Sequence, residues 1–282
     1  MKQELLVTHI RPQKSWFELG WGDVWQYRDL VAIFVRRDIV ATYKQTVLGP
    51  LWYFISPILT TFIFTFVFGS VAKIPTSNIP GPVFYLSGLT LWNYFQSCFT
   101  GASSTFTANA ALFGKVYFPR LASPLALVIS NLVKFVIQFS ILIAFSFIYH
   151  AKGAFVWSPG LHVLLLPVLV ALMALLGLGA GILISSLTTK YRDLAILVSF
   201  GTGLLMYITP VIYPMEALPI QGAWIIGLNP ISPLVESFRT CFLGVGALSW
   251  GGLAYSAIFT LVLLVMGSLL FNRTEKSFMD TV

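Results

Sequence analysis

LWYFISPILTTFIFTFVFGSV (51–71) runs for twenty-one residues without a formal charge. A helix rises about 1.5 Å per residue, so this stretch covers about 30 Å, the thickness of a bilayer's hydrocarbon core. It follows Gly49-Pro50, a natural break before a helix. Five further apolar runs repeat the pattern: Val83–Thr107, Leu125–Tyr149, Leu161–Leu187, Leu194–Tyr213 and Leu253–Phe271. The expected fold is therefore an all-α polytopic membrane protein with six transmembrane helices.

Composition agrees. Hydrophobic residues make up 57% of the 282-residue chain and charged residues 10%, against roughly 45–50% and about 25% in ordinary globular proteins. A water-soluble particle of this size could not cover its surface with so few charges, and disorder is excluded on the same ground. Cys98 and Cys241 are too few for a disulfide framework and lie in no metal-binding spacing. The first 29 residues carry charges throughout and no apolar core, so insertion is expected through the spans themselves rather than a cleaved leader.

The net charge is +7. Basic residues flank apolar runs, which reads as an orientation signal rather than a nucleic-acid footprint. With six spans both termini share one side. That side receives Lys2, Arg11, Lys14, Arg28, Arg36, Arg37 and Lys44, then Lys115, Arg120, Lys190, Arg192, Arg273 and Lys276. The other side receives only Lys73, Lys152 and Arg239, while Lys134 falls inside the third span. Thirteen against three predicts cytosolic termini.

Two domains are expected: 1–50, a cytosolic N-terminal segment, and 51–282, the transmembrane domain. Within the first, QYRDLVAIFVRRDIVATYKQ (26–45) is too charged to cross a membrane and apolar enough to touch one. Asp29, Arg36, Arg37 and Lys44 gather on one arc of a helix and Tyr27, Val31, Phe34 and Val35 lie roughly opposite, which predicts an amphipathic interface helix. Between the last two spans, region 214–252 is apolar but broken by Pro219, Pro230 and Pro233. Its pieces 218–228 and 231–243 are too short to cross, and read as two re-entrant helices shielded by protein or a cavity.

Three motifs carry a resemblance. RRDIVATYKQTVLGPLW (36–52), YRDLAILVSFGTGLLMYITPVIYP (191–214) and LNPISPLVESFR (228–239) occur in that order. Together they resemble type-2 ABC exporter permeases of the polysaccharide, O-antigen and teichoic-acid export family. The resemblance implies a transport permease in the bacterial cytoplasmic (inner) membrane that forms a homodimer. It also implies two copies of a nucleotide-binding ATPase subunit as partners, with ATP and Mg bound there, and a lipid-linked glycan as substrate. The chain itself has no phosphate-binding G-x-x-x-x-G-K-[ST] loop, so no catalytic or metal site is assigned to it.

Within that frame, the short loop with Lys190, Tyr191, Arg192 and Asp193 is expected to couple to the ATPase, as is the loop with Lys115 and Arg120. For the second loop, docking to the ATPase and contact with the lipid interface stand open. Arg36, Arg37, Tyr43, Lys44 and Gln45 mark the interface helix. Trp52, Tyr53, Trp92, Tyr94, Tyr207 and Tyr213 are aromatic candidates for a sugar conduit, with core or interfacial packing as the alternative. Asn131, Lys134 and Gln138 form a polar stripe on the third span, and Lys134 either lines the conduit or snorkels to the interface. Glu216, Pro230, Glu236 and Arg239 are candidates for an external gate, with Glu236 and Arg239 spaced to pair on an exposed helix face. Gly177, Gly179 and Gly181 in the fourth span predict tight helix packing.

Two other functions fit the sequence less well. A membrane-embedded glycan-lipid transferase needs acids, bases or a metal at one face, yet His9, His150 and His162 are scattered and no acidic cluster exists. An ion-coupled carrier places acidic residues inside spans, and every Asp and Glu lies outside the six. A type-2 ABC exporter for a drug or small lipid is the nearer alternative.

Overall fold

A computed structural model describes residues 21–44, 51–113, 115–116, 118–191, 193–217 and 220–278. Every regular element among them is a helix. In chain order these are α1 (Trp21–Gln26), α2 (Arg28–Lys44), α3 (Trp52–Phe64), α4 (Gly81–Ser103), α5 (Thr105–Ala108), α6 (Ala110–Phe113), α7 (Ala122–Ala151), α8 (Leu166–Thr188), α9 (Leu194–Ile208), α10 (Ile220–Gly227), α11 (Ile231–Leu243) and α12 (Trp250–Phe278). A π-helical stretch, Thr65–Val71, continues α3, and a 3₁₀ turn, Leu161–Leu165, leads into α8.

Among the described residues four segments are long and apolar enough to cross a membrane: Trp52–Val71, Ala122–Ala151, Leu161–Thr188 and Trp250–Glu275. Two of the six expected spans differ from these four, for separate reasons. α4 has the length, but carries Ser87, Thr90, Asn93, Gln96, Ser97, Thr100 and Ser103. Its position explains that polarity. α4 is the central helix, packed by α3, α7, α8 and α11, so it seldom faces lipid. Its hydroxyls bond its own carbonyls, as in Thr90 Oγ1 to Leu86 O at 2.7 Å and Thr100 Oγ1 to Gln96 O at 2.7 Å. α9 is apolar but has only 15 residues. It stops where Thr209 turns extended at φ −99°, ψ 140°.

Glycine lets the central helices approach. A Cβ at Gly181 would stand 2.5 Å from Ala102 Cβ and 2.8 Å from Phe99 O on α4. At Gly177 it would meet Cys98 Cβ at 3.0 Å. Gly179 faces the other way, 3.0 Å from the Leu264 backbone nitrogen of α12. The glycines of α8 thus serve two neighbours at once, as backbone contact between membrane helices requires.

α1 and α2 pack onto the bundle. Val31 and Phe34 are buried, and Phe34 meets Phe118 edge-on at 5.4 Å. Trp21 Nε1 donates to Ser268 Oγ of α12 at 3.2 Å. Part of the apolar face of α2 thus packs on α7, while the large apolar side chains of Trp25, Ile33 and Val40 stay exposed.

Candidate functional site

The loops sort into two ends of the bundle. At one end, Thr188 Oγ1 reaches Ser103 O at 3.5 Å, and Phe106 N donates to Ser185 Oγ at 3.4 Å. These bonds bring the end of α4 beside the end of α8. Phe106 stacks on Phe271 of α12 at 4.4 Å, and Phe113 and Phe118 extend the cluster to α2.

Arg120 lies inside this end. It is 6% exposed and donates to Glu275 O at 3.2 Å. Its guanidinium stands 3.8 Å from Glu275 Oε1 and 5.3 Å from the Phe113 ring centroid. Burial lowers its pKa and the Glu275 charge opposes the shift. Arg120 therefore ties the loop to α12, while Lys115 and Val116 present the exposed tip. In the second loop Tyr191 is exposed, and the Lys190 ammonium lies 5.4 Å from its ring centroid. Asp193 is exposed at the start of α9, where its backbone oxygen accepts from Ile196 N at 3.1 Å. Arg192, Gln45 and the side chains of Tyr43 and Lys44 lie outside the described residues.

At the opposite end, Arg239 joins three segments: its own α11, α4 and the chain just after α9. Its guanidinium carbon lies 3.9 Å from the Phe84 ring centroid. It donates to Ser87 Oγ at 3.3 Å, Pro210 O at 3.1 Å and Val211 O at 3.4 Å. Glu236 does not sit in a surface ion pair with it. The Glu236 carboxylate accepts from Met215 N at 3.0 Å. Its pKa is raised by burial, against the lowering effects of that bond and of the Arg239 charge. Arg239 is itself 6% exposed. The expectation of an exposed pair is thus corrected: both side chains hold the chain that leaves α9.

Further bonds close this end. Asn229 donates to Thr209 Oγ1 at 2.9 Å and accepts from Ile231 N at 3.0 Å, an Asx turn that leads into α11. Pro230 O accepts from Ser256 Oγ at 2.7 Å. Ser77 Oγ, between α3 and α4, reaches Glu216 at 3.3 Å. Trp157 Nε1, between α7 and α8, donates to Phe242 O at 2.8 Å.

The conduit candidates separate. Trp92 and Tyr94 are buried in α4, with Tyr94 5.2 Å from Phe135. Gln138 pairs with Asn93 at 3.3 Å, so it joins α7 to α4. Trp52 and Tyr207 are exposed, and Tyr213 donates to Tyr207 O at 2.8 Å. Lys134 and Asn131 line a cavity with Tyr53. Among the described residues no three His, Cys, Asp or Glu side chains gather as a metal site.

The family profile described as ABC-2 type transporter matches residues 29–243, from the start of α2 to the end of α11. The chain belongs to this family. Among similar proteins, the O-antigen export system permease protein RfbA of Klebsiella pneumoniae is 30% identical over 252 residues, covering 89% of this chain and 94% of the relative. RfbA of Myxococcus xanthus is 28% identical, covering 92% and 98%. The polysialic acid transport protein KpsM of Escherichia coli is 26% identical, covering 89% and 95%. This ABC-2 type chain is aligned with them over nearly their full lengths, and its apolar helices make it a multi-pass membrane protein.

Proposed function

We propose that this ABC-2 type protein is the transmembrane permease subunit of an ATP-driven exporter that moves a lipid-linked polysaccharide across the bacterial inner membrane. The near end-to-end match to permeases named for O-antigen and polysialic acid carries this reading. A separate subunit hydrolyses ATP. The absence of a phosphate loop from the sequence supports that division of labour.

The reading includes six spans, with α4 and α9 joining the four long apolar segments. Bonds such as Thr188 to Ser103 at one end and Trp157 to Phe242 at the other support this reading. α4 is about 34 Å long at 1.5 Å per residue, enough for the hydrocarbon core. α10 and α11 then return to the side they left, and the charge asymmetry puts both termini in the cytosol. The end carrying Lys115, Lys190, Tyr191 and Asp193 engages two ATPase copies. The end around Arg239 closes the outer mouth. Two permease copies meet through apolar helices such as α9, whose Ile196 and Phe200 are exposed in the single chain.

Purification tests the division of labour. The permease alone should hydrolyse no ATP, whereas co-purification with its partner ATPase should give hydrolysis. Hydrolysis by the clean permease would end the reading. Deletion of the permease in its own host should also trap glycan on its lipid carrier inside the cell. Export of a small lipid with normal surface glycan would favour the nearer alternative.

A further inference from the structure

A cavity of about 500 Å³ opens where α2, the start of α3, the α5–α6 turns and α7 converge. Small-molecule sites fall between about 300 and 1,000 Å³. Arg37, Asn109, Ser123, Ser130, Asn131 and Lys134 give it a polar wall. Along α7 that wall runs from Ser123 to Lys134, about 16 Å at 1.5 Å per residue. A polar recess at the end of a membrane bundle needs water or a polar guest to satisfy its lining.

Its charge balance is specific. Asp38 is the one carboxylate among its lining residues; it pairs with Arg37 at 2.8 Å and its charge also acts on Lys134, so two cations stand against one anion in the lining. Lys134 adds a positive charge, with its ammonium 5.8 Å from the Tyr53 ring centroid. On the same face of α7 the Ser130 hydroxyl and the Asn131 amide stand four and three residues before Lys134 and line the same cavity. Hydroxyls and amides around a net positive charge suit a phosphate better than a neutral sugar.

The cavity's flank is apolar. α3 and α7 run side by side, with Phe62 and Phe145 in edge contact at 6.3 Å. Phe54, Leu59, Leu132 and Val136 are exposed along them. A ligand with an anionic head in the recess could lay a hydrocarbon tail along this flank.

We propose that the recess binds the net-negative phosphate head of a membrane lipid, with Lys134 as its principal charge. The proposal rests on the export reading only for the identity of one source, the phosphate that carries the glycan. A bilayer phospholipid offers the same chemistry.

The test is native mass spectrometry of the purified permease with three probes: polyprenyl phosphate, phosphatidylglycerol and zwitterionic phosphatidylcholine. The unaltered protein should retain one or both anionic lipids and release phosphatidylcholine. Lys134→Met should weaken that retention about tenfold, the effect of one lost charged hydrogen bond. Lys134→Arg should keep it, as should Lys152→Met at the far end of α7. Ala108→Trp fills the recess from an exposed position and should weaken binding equally, which covers the case in which Lys134→Met fails to fold. Preference for polyprenyl phosphate would identify the glycan's carrier, and preference for phosphatidylglycerol would identify a bilayer lipid. Either supports the site. Unchanged retention in Ala108→Trp or in folded Lys134→Met, or equal retention of phosphatidylcholine, would overturn it. No ATP, ATPase or glycan enters the measurement, so its failure leaves the export reading standing.

Discussion

The guanidinium of Arg239 lies 3.9 Å from the ring centroid of Phe84, with both side chains buried. The contact joins α11 to α4 across 155 residues of sequence. A cation beside an aromatic face gains about 2 kcal/mol or more when water is excluded. The same guanidinium also takes the carbonyls of Pro210 and Val211, just beyond the end of α9. Arg239 thereby fixes the exit of α9 against the centre of the bundle.

Arg239→Met should therefore cost about 3 kcal/mol, since it leaves buried carbonyls and Ser87 without their donor. Thermal unfolding of the purified permease in detergent measures this. Arg239→Lys should recover part of the loss through its charge, without the planar fork that reaches two carbonyls at once. A melting temperature unchanged in Arg239→Met would contradict the role assigned here.

Gly181→Ala should lower stability by about 1–3 kcal/mol, because its new methyl meets α4 backbone that has little room to move. Gly251→Ala is the matched control, as nothing stands within 4 Å of its added Cβ. Equal melting of the two variants would mean that α4 and α8 are not held at this distance.

Coupling is tested by replacing Lys190 and Asp193 together with Ala. Neither side chain is committed to the core, so insertion and melting should stay normal while hydrolysis by the partner ATPase no longer drives export. Arg120→Ala should behave differently. It should destabilise the protein, because it removes the tie to Glu275. Normal export by the Lys190/Asp193 double variant would reduce that loop to a topological anchor.

Single cysteines test the six-span arrangement in a background lacking Cys98 and Cys241. A cysteine at Ala247 or Lys152, both exposed, should label from outside intact cells with a charged maleimide. A cysteine at Thr189 should label only after the membrane is opened. Cytosolic labelling at Ala247 would make α10 or α11 a crossing and require a redrawn topology.

Much of this arrangement was legible in sequence. The runs at 51–71, 125–149, 161–187 and 253–271 anticipate the four long apolar segments within a few residues, because lipid exposure forces a continuous apolar stretch. The short pieces 218–228 and 231–243 anticipate α10 and α11, because proline marks their limits. Long-range partners were hidden. An i, i+3 spacing puts Glu236 and Arg239 on one side of α11, but only the fold brings Phe84, Ser87 and Pro210 to that side. Arg120 reads as an exposed docking residue until Glu275 arrives from α12. In both cases a signal was available: each arginine sits among large apolar neighbours, Phe238 and Phe242 for one and Phe118 and Leu121 for the other. The apolar stripe of α2 was visible too, but periodicity alone does not distinguish a face on lipid from a face on α7.

The central claim is vectorial movement of a lipid-linked glycan, powered by a partner's ATP. Inverted inner-membrane vesicles containing the permease and its ATPase, loaded on their outer leaflet with radiolabelled lipid-linked glycan, test it most directly. On addition of ATP and Mg, the label should become protected from an added glycosidase, and omitting either the permease or ATP should abolish protection. Protection that develops equally without ATP, or without the permease, would contradict the account.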